Sequence, residues 1–398
     1  MRTGRHPLEW PHKGFYAMLN RFAACAVLGL SVALLLSFRA GAQADPAQDA
    51  VEMIGPGSLT NIKVLTDNWI MVEAQRFQVK TPIPAYRVRK VVYSAAPDLY
   101  RVAQTAAEEG DYERALRALI LTLRERGDAI PWFKQYILYD IARFYVKHAG
   151  EGSYEKARGY LDQLFKDVPD SRFTPEALLL YADTFFLEAQ DFEKARQAYD
   201  DAAAKLAQMA GQVSGDHVDY LQEKSFLAKY KAGECLMLLK RFGEAKSVFE
   251  GVAARSRKYP RIYYLALLGK SQSLWQEGQI DKALEDFASL IEAAEVAGVR
   301  DILAGAYAGL GDCYFEKKEY EEARWNYLKV VVQFFDAQEY AAKALYRVGL
   351  CYREIMNRET DAKKRQEAGK MARYYFDKVV ADYEGYWADQ ARDAAKTL

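Results

Sequence analysis

The sequence predicts a mostly α protein, a solenoid of about seven stacked helix pairs preceded by a small β unit. Three observations predict it. A short phrase recurs along the 398 residues, as GDYERAL, GSYEKAR, QDFEKAR, KRFGEAK, GQIDKAL and KKEYEEARWNYLKVV. Its copies lie 38 to 50 residues apart, the period of two-helix repeat units that stack because no single unit can bury its own apolar face. Residues 58–93 contain no copy and are instead rich in Val, Ile, Tyr, Trp and Thr, the usage of half-buried strands.

Taken in order, residues 1–44 read as a secretory signal peptide. The run FAACAVLGLSVALLLSF (22–38) follows Arg21 and leads to Ala42-Gln43-Ala44, a small-x-small cleavage signal before Asp45. The residues before Met18 are unusual for an n-region, whereas MLNRF from Met18 gives a conventional one, so Met18 is an alternative expected start. An uncleaved anchor is the alternative, since 17 apolar residues touch the lower limit of a span. Cys25 opens the apolar run, and a lipid-acceptor cysteine would close it. Lys plus Arg equals Asp plus Glu at 55 each, and removing 1–44 leaves 50 against 54. Such a balance gives no broad basic field for nucleic acid.

Residues 45–57 read as a linker. Within 58–93, alternation in IKVL, WIMVE and FQVK, a turn at Asp67-Asn68 and a Pro82 to Pro84 corner suggest three or four short strands. So small a sheet has little core of its own and is expected to pack on the first helices. It would cover the end of the solenoid, or else contact a partner or the cell wall.

From 97 to 398 the helix pairs follow. Ala115, Ala157, Ala195, Ala245, Ala283, Ala323 and Ala372 are each followed four residues on by Leu119, Leu161, Tyr199, Phe249, Phe287, Tyr327 and Phe376. Small and large residues at this spacing share one helical face. Upstream, a second small position recurs at Ala103, Ala142, Ala182, Gly233, Ser271, Gly311 and Gly349, where helix backbones are expected to approach closely. NRETDAKKRQEAGK (357–370) is expected to extend the last helix pair, and QMAGQVSGDHVD (208–219) to break the array.

The set Tyr307, Leu310, Gly311, Tyr314, Ala323 and Tyr327 resembles the tetratricopeptide repeat. With VPDSRFTPEALLLYADTFF (168–186) and VVADYEGYWADQARDAA (379–395), the chain looks like the long-period variant of bacterial outer-membrane assembly and Tol-Pal associated periplasmic proteins. The resemblance implies an exported, non-enzymatic scaffold that holds a protein or peptide partner of the cell envelope. Position by position, it implies a groove formed by Tyr230, Glu234, Gln272, Trp275, Asp312, Phe315, Tyr346 and Arg353, with Trp275 as the anchor. A module binding wall glycan or another polymer through aromatic surface is a second reading, and an enzyme subunit a third.

Chemistry is sparse. Cys235, Cys313 and Cys351 recur in GEC, GDC and GLC and are expected to be buried thiols at one structural position. His217 lies between two Asp in SGDHVD, without a nucleophile motif. Gly305, Gly309 and Gly311 follow no strand and read as helix-packing sites. Thr174-Pro175-Glu176 reads as a helix start. No catalytic, cofactor-binding or metal-binding residues are expected.

Overall fold

The computed structural model describes residues 48–126, 132–188 and 191–398; the expected signal peptide lies outside them. They form two compact units, one ending at Ala228 and one spanning Lys229–Leu398.

The first unit opens with five antiparallel strands, β1 (Asp49–Met53), β2 (Ser58–Asp67), β3 (Met71–Arg76), β4 (Val79–Pro84) and β5 (Val88–Val92). Their order is β4-β3-β2-β1-β5. The long β2 is shared: its first half pairs with β1, Leu59 opposite Val51, and its second with β3, Val64 opposite Ala74. Strand β1 falls in the stretch expected to be a linker. DAVEM is too short to display alternation, and pairing to both β2 and β5 makes it a strand. Pro82 and Pro84 lie inside β4 rather than at a corner. That strand is a sheet edge, where proline forfeits no ladder bond, and the chain turns one step later through the 3-10 turn Ala85–Arg87.

Helices α1 (Asp98–Glu108), α2 (Tyr112–Arg126), α3 (Phe133–His148), α4 (Ser153–Asp167), α5 (Thr174–Leu187) and α6 (Phe192–Ala210) follow, and α7 (Asp216–Leu238) carries the division between the units. Val51, Ile62, Val72 and Val91 of the sheet share one core with Ala103, Leu119, Phe133 and Ile137 of α1 to α3. The sheet reaches further than the first helices: Trp69, in the β2–β3 turn, is buried with Leu206 and Met209 of α6 and Leu221 of α7.

A buried polar cluster fixes this docking. Asp67 is fully buried. Its Oδ2 accepts the Tyr93 hydroxyl at 2.8 Å and the Tyr136 hydroxyl, and Oδ1 lies 3.1 Å from Arg172 Nε. Gln135 Nε2 donates to the Asp67 carbonyl at 3.0 Å, and its Oε1 accepts the Ser171 hydroxyl at 2.9 Å and the Arg172 amide at 2.7 Å. A buried ion pair stripped of one partner typically loses about 3–5 kcal/mol, so the cluster fixes where the sheet sits. Ser171 Oγ also accepts the Phe173 amide at 3.1 Å, so the start of α5 is held by Ser171, with Thr174 already inside the helix.

The second unit contains the remainder of α7, then α8 (Phe242–Arg255), α9 (Pro260–Gln276), α10 (Ile280–Ala297), α11 (Arg300–Glu316), α12 (Tyr320–Gln333), α13 (Gln338–Arg358), α14 (Ala362–Asp382) and α15 (Tyr386–Lys396). Helical hairpins repeat along both units. The small positions have a steric cause: a Cβ on Gly233, Gly311 or Gly349 would stand 2.6 Å from the ring of Phe249, Tyr327 or Phe376 respectively. Each large residue at i+4 therefore presses on the backbone of the preceding helix. Residues 357–370 extend α13 and α14, leaving a short loop between Arg358 and Ala362. Cys235, Cys313 and Cys351 are buried and form no disulfide among the described residues, and burial pushes Cys313 and Cys351 up to about 12.

Candidate functional face

Within the second unit, α7, α9, α11 and α13 are the first helices of successive hairpins, and the eight expected groove residues all lie on them. Their placement differs residue by residue. Trp275 on α9 and Phe315 on α11 are half-buried and rest on the main core of the unit. Lys343 Nζ stands 5.9 Å from the Trp275 ring, and the Arg347 guanidinium 5.5 Å from that of Phe315. Cations over aromatic faces add attraction.

Asp312 departs from the expectation of a groove carboxylate. It is 3% exposed and accepts the Tyr327 hydroxyl at 2.7 Å and Lys343 Nζ at 2.6 Å, with Arg347 Nε at 3.5 Å. Burial alone would raise this carboxyl, but Lys343 and Arg347 outweigh it and hold it below the ordinary carboxylate range. Asp312 therefore serves the fold: it anchors the two cations that border the aromatic side chains.

Tyr230 tilts against Phe249 at 5.4 Å, and its hydroxyl donates to Glu234 Oε1 at 3.1 Å. Tyr346 packs on Phe376 and Trp387 at 5.8 and 5.7 Å, which makes it a core residue of the last hairpins. Arg353 lies beside Glu354, 3.6 Å away on the same helix. Gln272 is half-buried beside Tyr340.

Sequence reasoning missed Glu339 and Tyr340, at the start of α13. The Tyr340 ring lies over Gly305 of α11, close enough that a Cβ there would meet its hydroxyl at 3.0 Å. Glu339 is lifted to about 7, first by burial and then by nearby Glu234, against the pull of Lys343. No repeated motif marks either residue, because their surroundings come from three different hairpins. The face thus combines aromatic surface, two anchored cations and one carboxyl that titrates near neutrality. Among the described residues there is no cluster of His, Cys, Asp and Glu able to hold a metal ion, and no helix is long and apolar enough to cross a membrane.

A tetratricopeptide repeat model matches residues 148–210 and 268–342. A comparison with curated proteins gave no match. Among solved structures, a tetratricopeptide repeat protein from Parabacteroides merdae superposes with a TM-score of 0.51 at 17% identity, covering 75% of this chain and 96% of that one. The apo form of RapI reaches 0.49 at 14% identity over 74% of this chain and 79% of that one. PilW, described as a type IV pilus biogenesis factor, reaches 0.41 at 18% identity over 61% and 94%. Paired helices, small residues under large ones and the superposition on the Parabacteroides merdae protein make the helical part of the chain a tetratricopeptide-repeat-like solenoid of helical hairpins, and residues 148–210 and 268–342 match the tetratricopeptide repeat family.

Proposed function

We propose that this protein is a non-enzymatic, exported scaffold whose inner helical face between Tyr230 and Arg347 holds a peptide or protein partner in the cell envelope. The observation that carries the reading is the half-buried Trp275, seated on the core and bordered by Lys343. A Trp with one face packed and one edge free is the residue type that most often anchors an interface.

A photo-crosslinking residue in place of Gln272, introduced into the protein in intact cells, tests this. One or two dominant protein adducts, lost when Trp275→Ala is added and the fold is unchanged, are the expected result. Adducts to glycan alone, or protein adducts indifferent to Trp275→Ala, would overturn it.

A further inference from the structure

The β unit carries a charge balance unlike that of the chain as a whole. Between residues 48 and 93 there are six basic side chains, Lys63, Arg76, Lys80, Arg87, Arg89 and Lys90, and all six are exposed. The four acids are mostly occupied. Asp67 is buried against Arg172, and Asp49 accepts the amides of Val64 and Ser94 at 3.0 and 2.9 Å. Glu73 pairs with Lys80 at 3.3 Å, and Glu52 stands opposite Lys90 in the β1–β5 register. Lys63, Arg76, Arg87 and Arg89 have no ion-pair partner among the described residues. A net-neutral chain has placed a local cation surplus on one small module.

The same module exposes apolar side chains at its β3–β4 hairpin. Phe77 is 89% exposed and Val79 67%. Phe77 sits in the left-handed region at φ +55, where a side chain is unfavourable and glycine is at ease, so the turn itself gives no reason for a phenylalanine. Its only ring neighbour among the described residues is the Arg76 guanidinium at 5.9 Å. Lys63, Gln75 and Lys80 lie directly across one another on β2, β3 and β4, just behind the tip.

We propose that this hairpin docks the protein on an anionic bilayer surface, Phe77 and Val79 entering the headgroup and acyl boundary while the neighbouring Lys63, Arg76 and Lys80 meet anionic lipid headgroups. An anionic polymer would match the cations and leave Phe77 and Val79 in water. A bilayer matches both, since peripheral anchoring adds apolar burial to attraction between basic residues and acidic lipid. The surface is distinct from the helical face that would hold a partner, so the two roles are separable.

Vesicle co-sedimentation at low salt tests the proposal. It uses the full chain alongside a form beginning at Asp45, which discounts any affinity of the apolar run 22–38. Both forms are expected to bind phosphatidylglycerol-containing vesicles and not pure phosphatidylcholine. Phe77→Gly relieves the left-handed strain, so it should leave thermal unfolding unchanged or raise its midpoint while lowering partitioning at least tenfold. Arg76→Gln and Lys63→Gln should each lower it roughly fivefold, with the dependence fading as salt rises. No sedimentation of the Asp45 form, or sedimentation indifferent to Phe77→Gly, overturns the proposal; indifference together with full competition by polyphosphate would assign the module to an anionic polymer instead.

Discussion

Tyr199 and Tyr327 hold the large position of their hairpins, and each has an aspartate on the preceding helix to accept its hydroxyl, Asp183 at 2.5 Å and Asp312 at 2.7 Å. Where that position is Phe249, Phe287 or Phe376, the corresponding residue is Glu234, Gln272 or Leu350. A buried hydroxyl requires a partner and a phenyl ring does not, so the hydrogen-bonded aspartate is present where the tyrosine is. Two other titratable groups act on stability with opposite sign. Glu339 keeps its proton to about pH 7 when folded and loses it near 4.5 when unfolded. Its stabilising contribution is complete at low pH and is lost as pH rises to 7, a change on the order of 3 kcal/mol. His217 is buried among Trp69, Tyr86 and Tyr220, with no hydrogen-bond partner for Nε2 among the described residues, and burial lowers its pKa. Its contribution is present above about 6.5, the unfolded value, and is lost as pH falls through the folded one. In urea melts across pH 5 to 8, the gain from Glu339→Gln should grow as pH rises towards 7 and level off above it, whereas His217→Phe should gain stability mainly below 6.5. Parallel shifts at every pH would show that neither group carries the dependence.

At the scale of the helix, glycine has two opposite meanings here, and a pair of alanine substitutions separates them. Gly311→Ala would drive a methyl into the Tyr327 ring 2.6 Å away; overpacking of this kind typically costs about 1–3 kcal/mol. Gly159, exposed in the middle of α4, has nothing within 4 Å of a would-be Cβ. Gly159→Ala should stabilise by about 0.5–1 kcal/mol through helix propensity alone. Calorimetry of the two variants checks both signs, and a loss of stability in Gly159→Ala would mean that the helix surface is not free there. The distinction was half legible in the sequence. Gly311 stands in a recurring small position because its constraint is a neighbouring helix only sixteen residues on. Local recurrence of this kind also made the hairpins readable. Strand β1, the Asp67 and Arg172 pair and Glu339 were not readable, because each depends on residues distant in sequence that no period connects. Asp312 was placed on the right helix, but its burial follows from Lys343 and Arg347, one hairpin further on.

On the scale of the whole molecule, an ideal solenoid couples each repeat only to its neighbours, so a local defect stays local. The first unit departs from that rule. Its sheet shares a core with α1 to α3, while Trp69 from the same sheet is buried against α6 and α7, and Arg172 from the α4–α5 connection reaches back to Asp67 and to the Val88 carbonyl at 3.2 Å. The β unit therefore links hairpins that do not follow one another in the chain, and folding of the first unit should be more cooperative than its repeats alone would make it. Trp69→Ala isolates this effect. Truncating a buried Trp costs about 3–5 kcal/mol, and hydrogen exchange can show where the loss is felt. Protection should fall together in β2, β3, α6 and the first turns of α7, while amides of α10 to α14 keep theirs. If protection fell only at the β2–β3 turn, the sheet would be a passive appendage. If it fell equally through Ala362–Asp382, cooperativity would extend over the whole chain and the division at Ala228 would have no energetic counterpart.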